Sequence, residues 1–273
     1  MGLDILPLMV RLLAVDMDGT LLTSQRVPHP LSAQALLQAQ AAGIMVCLAS
    51  GRAIQTMRPT IQSIGLTGPV VSSNGAYVEL ADGTPVLDRK LDPQARDTLL
   101  AYAEARGMHV NFYLSTEMWF SHDGPEAASY RERTGIVAPV TGYEPMKSAE
   151  AVKILFFAEA DEIVAAMDDL RPTVAELGIT MVTSEPDYVE FLPAGITKGA
   201  GLQALAKALS LEAPQVAAIG DWLNDLEMIQ WAGVSAAMGN AAEDVKAAAQ
   251  MVVGTNEDGG VADFVRTLLP SIG

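Results

Sequence analysis

One cysteine in 273 residues, Cys47, rules out a disulfide framework within the chain, and it sits in the apolar run IMVCLAS with no basic neighbour to activate its thiol. A reducing compartment follows, and the chain is expected to be cytoplasmic. Cationic residues are also scarce: 17 Lys and Arg face 33 Asp and Glu, a formal net charge of −16. Such a surface repels nucleic acid and anionic membranes, which are held by clustered Lys and Arg. An anionic ligand must therefore be drawn by local charge or a metal, because the global field opposes it. The three histidines, His29, His109 and His122, are scattered without metal-ligand spacing and read as surface or packing residues. No apolar run reaches membrane-spanning length. The opening stretch carries Asp4, Arg11 and Asp16, a poor secretory signal, and Leu6 stands where a myristoylation pattern needs Ser or Thr. No internal repeat or low-complexity tract is visible, and no obligate protein partner is implied.

What is present is a core-building composition, half apolar and 18% charged. Strands and helices alternate at both ends of the chain. RLLAVD, IMVCLAS and PVVSSNG read as buried strands, separated by HPLSAQALLQAQAAG and by a weaker helix containing Pro59. After Thr197, a helix cap, the strands QVAAIGD, VSAAMGN and AQMVVG repeat the pattern. Continuous apolar strands alternating with helices predict an α/β fold, a doubly wound, Rossmann-like parallel sheet covered on both faces. The middle differs. A hairpin around Asp82-Gly83 leads to a helix capped by Asp92 and ended by Gly107. Then come HVNFYL, EMWFSH, VKILFFA, a helix from Asp161 to Gly178, ITMVTS and YVEFLP. This predicts an inserted α+β domain over residues 87–191 in a core of 1–86 and 192–273, with hinges near Thr84–Asp88 and Leu192–Gly195.

The stretch LLAVDMDGTLL poses the chemical question, because two aspartates one residue apart leave the end of a buried strand. Like charges so close destabilise each other unless a cation lies between them. In an open parallel sheet ligands bind beyond the carboxyl ends of the strands. Those ends deliver Asp16 and Asp18, then Ser50 with Gly51, then Asp221 followed by Asn224 and Asp225, while Lys198 opens the helix after the insertion. Asp16, Asp18 and Asp221 offer the oxygen ligands that Mg²⁺ prefers. One carboxylate can attack phosphorus, as in aspartyl-phosphate enzymes, and a second two residues on can protonate the leaving oxygen. The Asp16–Gly19 turn, Ser50, Gly51 and Lys198 can hold phosphoryl oxygens. Lys198 stands at a helix start, where the dipole repels a cation, so a nearby anion is expected.

DMDGTLL, LASGR, ITKGAGL and GDWLNDLEM together resemble the four ordered motifs of the haloacid dehalogenase (HAD) superfamily. The nearer likeness is to its Cof-type, sugar-phosphatase-like branch with a large α/β cap (subclass IIB), which SSNGAYV, MGNAAEDVKAAA and TNEDGGVADFV also resemble. The resemblance implies a Mg²⁺-dependent phosphatase of small phosphomonoesters, such as sugar phosphates. It makes Asp16 nucleophile and metal ligand, and Asp18 the acid/base that binds metal through its carbonyl. Asp221 completes the metal site. Ser50, Lys198, Asn224 and the N–H groups of Met17 and Gly51 hold phosphate. Position 50 is Ser where Thr is frequent, which keeps the hydroxyl. Asp225 reads as an orienting partner for Lys198 or a metal-bound water. Arg52 either meets substrate or forms a salt bridge. A phosphomutase that returns the phosphoryl group to its sugar, and a non-catalytic phosphometabolite sensor, are the two other readings of the same site.

Overall fold

The computed structural model describes residues 10–183 and 185–269. The reading of the first residues as a poor leader lies outside them. The first elements in the chain are β1 (Leu12–Asp16), α1 (Pro30–Ala41), β2 (Met45–Ala49), α2 (Ile54–Ile64), β3 (Val70–Ser72), β4 (Tyr77–Glu79) and β5 (Pro85–Asp88). Next are α3 (Pro93–Arg106), β6 (His109–Tyr113), β7 (Met118–Phe120), α4 (Pro125–Thr134), α5 (Tyr143–Met146), β8 (Lys153–Phe157), α6 (Ala160–Leu177), β9 (Ile179–Val182) and β10 (Tyr188–Pro193). The chain closes with α7 (Lys198–Ala208), β11 (Val216–Gly220), α8 (Leu226–Trp231), β12 (Val234–Ala237), α9 (Glu243–Ala248), β13 (Met251–Val252) and α10 (Gly260–Leu268).

These elements divide into two compact units. The first takes the described residues up to Gly51, Arg58–Leu87, and the described residues from Thr197 onward. It is built on an eight-stranded sheet of order β13-β12-β11-β1-β2-β3-β4-β5. From β13 to β3 every neighbouring pair is parallel. The strands β1 and β11 are buried along their whole length, as continuous apolar runs in a doubly covered sheet must be. The order reverses at β1, with β2 on one side and β11 on the other, which places the switch point at the carboxyl ends of these three strands.

The second unit comprises Arg52–Met57 and Asp88–Ile196, with an antiparallel sheet of order β7-β6-β8-β10-β9. One face of that sheet, through Val110, Phe112, Ile154, Phe156, Val189 and Phe191, packs on α3 and α6. Asp92 caps α3 by accepting from Gln94 N at 2.8 Å, and Gly107 ends it in the left-handed conformation.

Compared with the expected domain limits, the changeovers fall at Leu87/Asp88 and Ile196/Thr197, and residues 52–57 group with the second unit. The strand β10 runs to Pro193, paired with β9, which keeps the chain with that sheet beyond residue 192. Sequence patterning also passed over α4 and α5. The helix α4 buries only Ala127 and Tyr130, too few apolar positions to create a helical period.

Cys47, fully buried in β2, has its thiol pushed up to about 12 by burial, against a weaker backbone hydrogen bond from Val71. A charged disulfide reagent should therefore leave the folded protein unmodified and react rapidly once denaturant is added. Reaction of the native protein at a free-thiol rate would contradict this burial. Among the described residues no helix is long and apolar enough to cross a membrane.

Candidate active site

The strand β1 carries Asp16 to the sheet edge with 3% of its surface exposed. The chain then turns sharply, with Met17 O accepting from Leu22 N at 2.8 Å and from Thr20 N at 3.4 Å. Gly19 makes this turn possible in two ways. It adopts φ +79°, and a Cβ there would collide with the Asp221 carboxylate. Asp18 lies on the turn with its side chain exposed, near enough to Asp16 to raise its pKa.

Opposite β1, β11 ends at Gly220, and Asp221 follows. A short 3₁₀ turn, Leu223–Asp225, then leads into α8. Asp16, Asp221 and Asp225 come together with ligand atoms within 4.8 Å of one another. Lys198, 2% exposed at the start of α7, reaches between them. Its Nζ donates to Asp16 Oδ1 at 2.5 Å and to Asp225 Oδ1 at 2.6 Å. The anion expected near a cation at a helix start is thus a pair of buried carboxylates. Asp225 Oδ2 accepts from the N–H groups of Asp221 (2.9 Å) and Trp222 (3.1 Å), so both its oxygens are committed. Asp225 therefore fixes Lys198 and the Asp221 backbone. Thr20 Oγ1 donates to Asp221 Oδ1 at 2.8 Å and orients that carboxylate.

Ser50 lies one residue beyond the register pair Asp16↔Ala49, and its N–H donates to Val71 O at 2.9 Å. Asn74, at φ +54° and buried, donates its N–H to Ser50 O (3.0 Å), while its Oδ1 accepts from Asn224 Nδ2 (3.1 Å). Asn74 therefore ties the second and third strand ends to the Asn224 turn. Two further asparagines brace the Asp16 loop: Asn240 Nδ2 donates to Gly19 O (2.8 Å) and Asn256 Nδ2 to Leu22 O (2.9 Å). Arg52, half-buried, stands at the changeover to the second unit. Reading the residues in sequence missed Thr20, Asn74, Asn240 and Asn256 as positioning groups. Only Asn74 had a local signal, the Asn-Gly pair that favours left-handed backbone.

Electrostatically the cluster is short of positive charge. Burial pushes the Asp16 carboxyl well above the usual carboxylate range, and Asp225, Asp221 and Asp18 add to the rise against the pull of Lys198. Burial, then Asp225, pushes Asp221 up to about 6, against Thr20 and Lys198. Burial alone would lower the Lys198 pKa, but Asp16 and Asp225 outweigh it and raise it. Three buried carboxylates against one ammonium leave an excess that a divalent cation would balance. An oxygen-only donor set suits a hard ion.

A carboxyl whose pKa is raised by folding stabilises the protein below the unfolded pKa and loses that contribution as pH rises through the folded value. Asp221 should therefore make chelator-treated protein less heat-stable between pH 4 and 7, by up to about 3 kcal/mol. Thermal melts of wild type and Asp221→Asn across this range check it, and the variant's profile should be the flatter one.

Residues 13–265 match the family of haloacid dehalogenase-like hydrolases. The chain belongs to that family. It is 30% identical to Phosphatase YwpJ of Bacillus subtilis, over 95% of this chain and all of that protein. It is 31% identical to the B. subtilis 5-amino-6-(5-phospho-D-ribitylamino)uracil phosphatase YcsE, over 94% of this chain and 95% of that one. A haloacid dehalogenase-like hydrolase from Bacteroides thetaiotaomicron superposes with a TM-score of 0.89 at 26% identity, over 95% of this chain and all of that one. The Cof-type resemblance of the motifs therefore holds, and this hydrolase is an enzyme of the family's phosphatase kind.

Proposed function

We propose that this hydrolase cleaves small phosphomonoesters in two steps, with Asp16 as nucleophile, Asp18 as general acid and base, and Mg²⁺ as cofactor. The observation that carries the reading is the Asp16 carboxylate, held by Lys198 at 2.5 Å beside Asp221 at the switch point of the sheet. Lys198 favours the ionised form of Asp16, which burial opposes, and orients it for attack. In the first step an Asp16 oxygen bonds to phosphorus as the bond to the leaving oxygen breaks, and the Asp18 carboxyl gives that oxygen its proton. In the second, Asp18 takes a proton from water as the water oxygen attacks phosphorus, which frees Asp16 and inorganic phosphate.

Ser50, Asn224, Lys198 and the N–H groups of Met17 and Gly51 hold the phosphoryl oxygens. Asn74 sets the separation of the Ser50 and Asn224 groups by bonding to both segments. Mg²⁺, held by Asp16, Asp221 and the Asp18 carbonyl, would add the positive charge that phosphoryl transfer needs. The second unit serves as the domain that selects the leaving group. The named substrate of the relative YcsE, a phosphorylated ribitylaminouracil, supports a small phosphorylated metabolite as the substrate class.

The test is phosphate release from p-nitrophenyl phosphate and a panel of phosphorylated sugars, nucleotides and cofactors, with Mg²⁺ or with chelator. Mg²⁺-dependent release, with phosphate and alcohol in equal amounts, is the expected result. Conversion of substrate without free phosphate would point to a mutase, and no turnover on any compound would leave a binding protein.

A further inference from the structure

Beyond the Asp16 cluster, the second unit brings together residues that sequence spacing kept apart. The ligand-capable atoms of His109 on β6, His122 after β7 and Glu126 on α4 lie within 4.8 Å of one another. His109 and His122 are therefore neighbours in space although scattered in sequence, while His29 stands outside the group. We infer that His109, His122 and Glu126 form a binding site for one divalent transition-metal ion of the zinc type.

The chemistry of each group supports this. His109 is 1% exposed, yet its Nδ1 is buried without a hydrogen-bond partner. A buried polar atom left in that state forfeits its hydrogen bond to water without compensation. Its other nitrogen, Nε2, lies 2.8 Å from Asn111 Oδ1. An amide oxygen only accepts, so Nε2 carries the proton and Nδ1 keeps a lone pair. Donation of the second ring N–H to a carbonyl is how metal-bound histidines are commonly oriented.

On His122, Nδ1 meets Ser121 Oγ at 3.0 Å, while Nε2 faces Glu126, 3.9 Å from Oε2. That gap is too long for a hydrogen bond. Two ligands of one tetrahedral zinc stand roughly 3.3–3.6 Å apart, given bonds of about 2.0–2.2 Å. The His122 and Glu126 side chains are 41% and 30% exposed, so neither is locked in the core. The intervening Gly124 leaves the space, since a Cβ there would stand 2.7 Å from Glu126 Oε2 and 3.2 Å from His122 Cδ2. Arg131, a cation on the same helix, is paired with Asp123 at 2.6 Å. Two imidazoles and one carboxylate select a borderline transition metal over Mg²⁺ or Ca²⁺, and leave a fourth position for water.

The experiment strips full-length protein with chelator, then titrates Co²⁺ and Zn²⁺ in excess Mg²⁺, which competes for the oxygen-only cluster around Asp16. Wild type should bind one Co²⁺ per chain with the visible spectrum of a nitrogen-containing, low-coordinate site, and Zn²⁺ should displace it and raise the melting temperature. His122→Gln and Glu126→Gln should each weaken Co²⁺ binding by about tenfold or more. Both positions are part-exposed, so at least one variant should fold normally and keep Mg²⁺-dependent phosphate release. Equal Co²⁺ affinity in wild type and variants, or a wild-type spectrum of oxygen ligands alone, would overturn the inference and leave the histidines as packing residues.

Discussion

Asp16→Asn should lower phosphate release by about 10⁴-fold or more while raising the heat stability of the metal-free protein. The opposed signs come from one physical fact. Asp16 is 3% exposed, ion-paired to Lys198, and faces Asp221, Asp225 and the nearby Asp18, each of which raises its pKa. Asparagine keeps the volume and one oxygen for Lys198 but removes a buried charge, which relieves desolvation and repulsion together. It also removes the carboxylate proposed to attack phosphorus. A loss of activity with an unchanged or lower melting temperature would argue that Asp16 is structural. Stability and rate moving apart is the mark of a charge kept for chemistry. The trade is typical of strained functional sites.

Lys198→Met should be the most destabilising single change at the site, by about 3–5 kcal/mol, and should also abolish turnover. Methionine preserves the length of the buried stem but leaves Asp16 and Asp225 without the ammonium that now donates to both. The remedy for uncompensated carboxylates is protonation, so the variant should regain part of its stability as the pH is lowered toward 5. Divalent cations should also restore part of it. The double variant Asp16→Asn with Lys198→Met should be less destabilised than the sum of the single effects, because the two share one interaction. Urea unfolding of the four proteins, with chelator and with Mg²⁺, measures this coupling. If Lys198→Met unfolds at the wild-type denaturant concentration, the ammonium is not what holds the buried carboxylates in place.

Much of the architecture was legible from local pattern. The apolar strands β1, β2 and β11, the caps Asp92 and Thr197 and the glycine ends of helices are set by interactions within a few residues, and they appear where the periodicity puts them. The DxDG turn was legible for the same reason, since paired aspartates at a strand end demand a compensating partner. The helix α4 was not, because only two of its residues are buried and its place depends on packing beyond its own sequence.

What the sequence by itself determined is the set of strand-end residues, namely Asp16 at the end of β1 with Asp18 just beyond it, Ser50 after β2, Asp221 after β11 and a lysine at the start of α7. That information is carried by strand periodicity and by the rule that open parallel sheets present their ligands at carboxyl ends. Only the tertiary structure decided how these groups are used. It commits both oxygens of Asp225 to Lys198 and the backbone, gives Thr20 to Asp221, and links Ser50 to Asn224 through Asn74. It also sets His109 beside His122 and Glu126 from separate elements. Side-chain partners of this kind join residues far apart in sequence, 201 positions for Thr20 and Asp221 and 234 for Asn256 and Leu22, and local propensity carries no record of them.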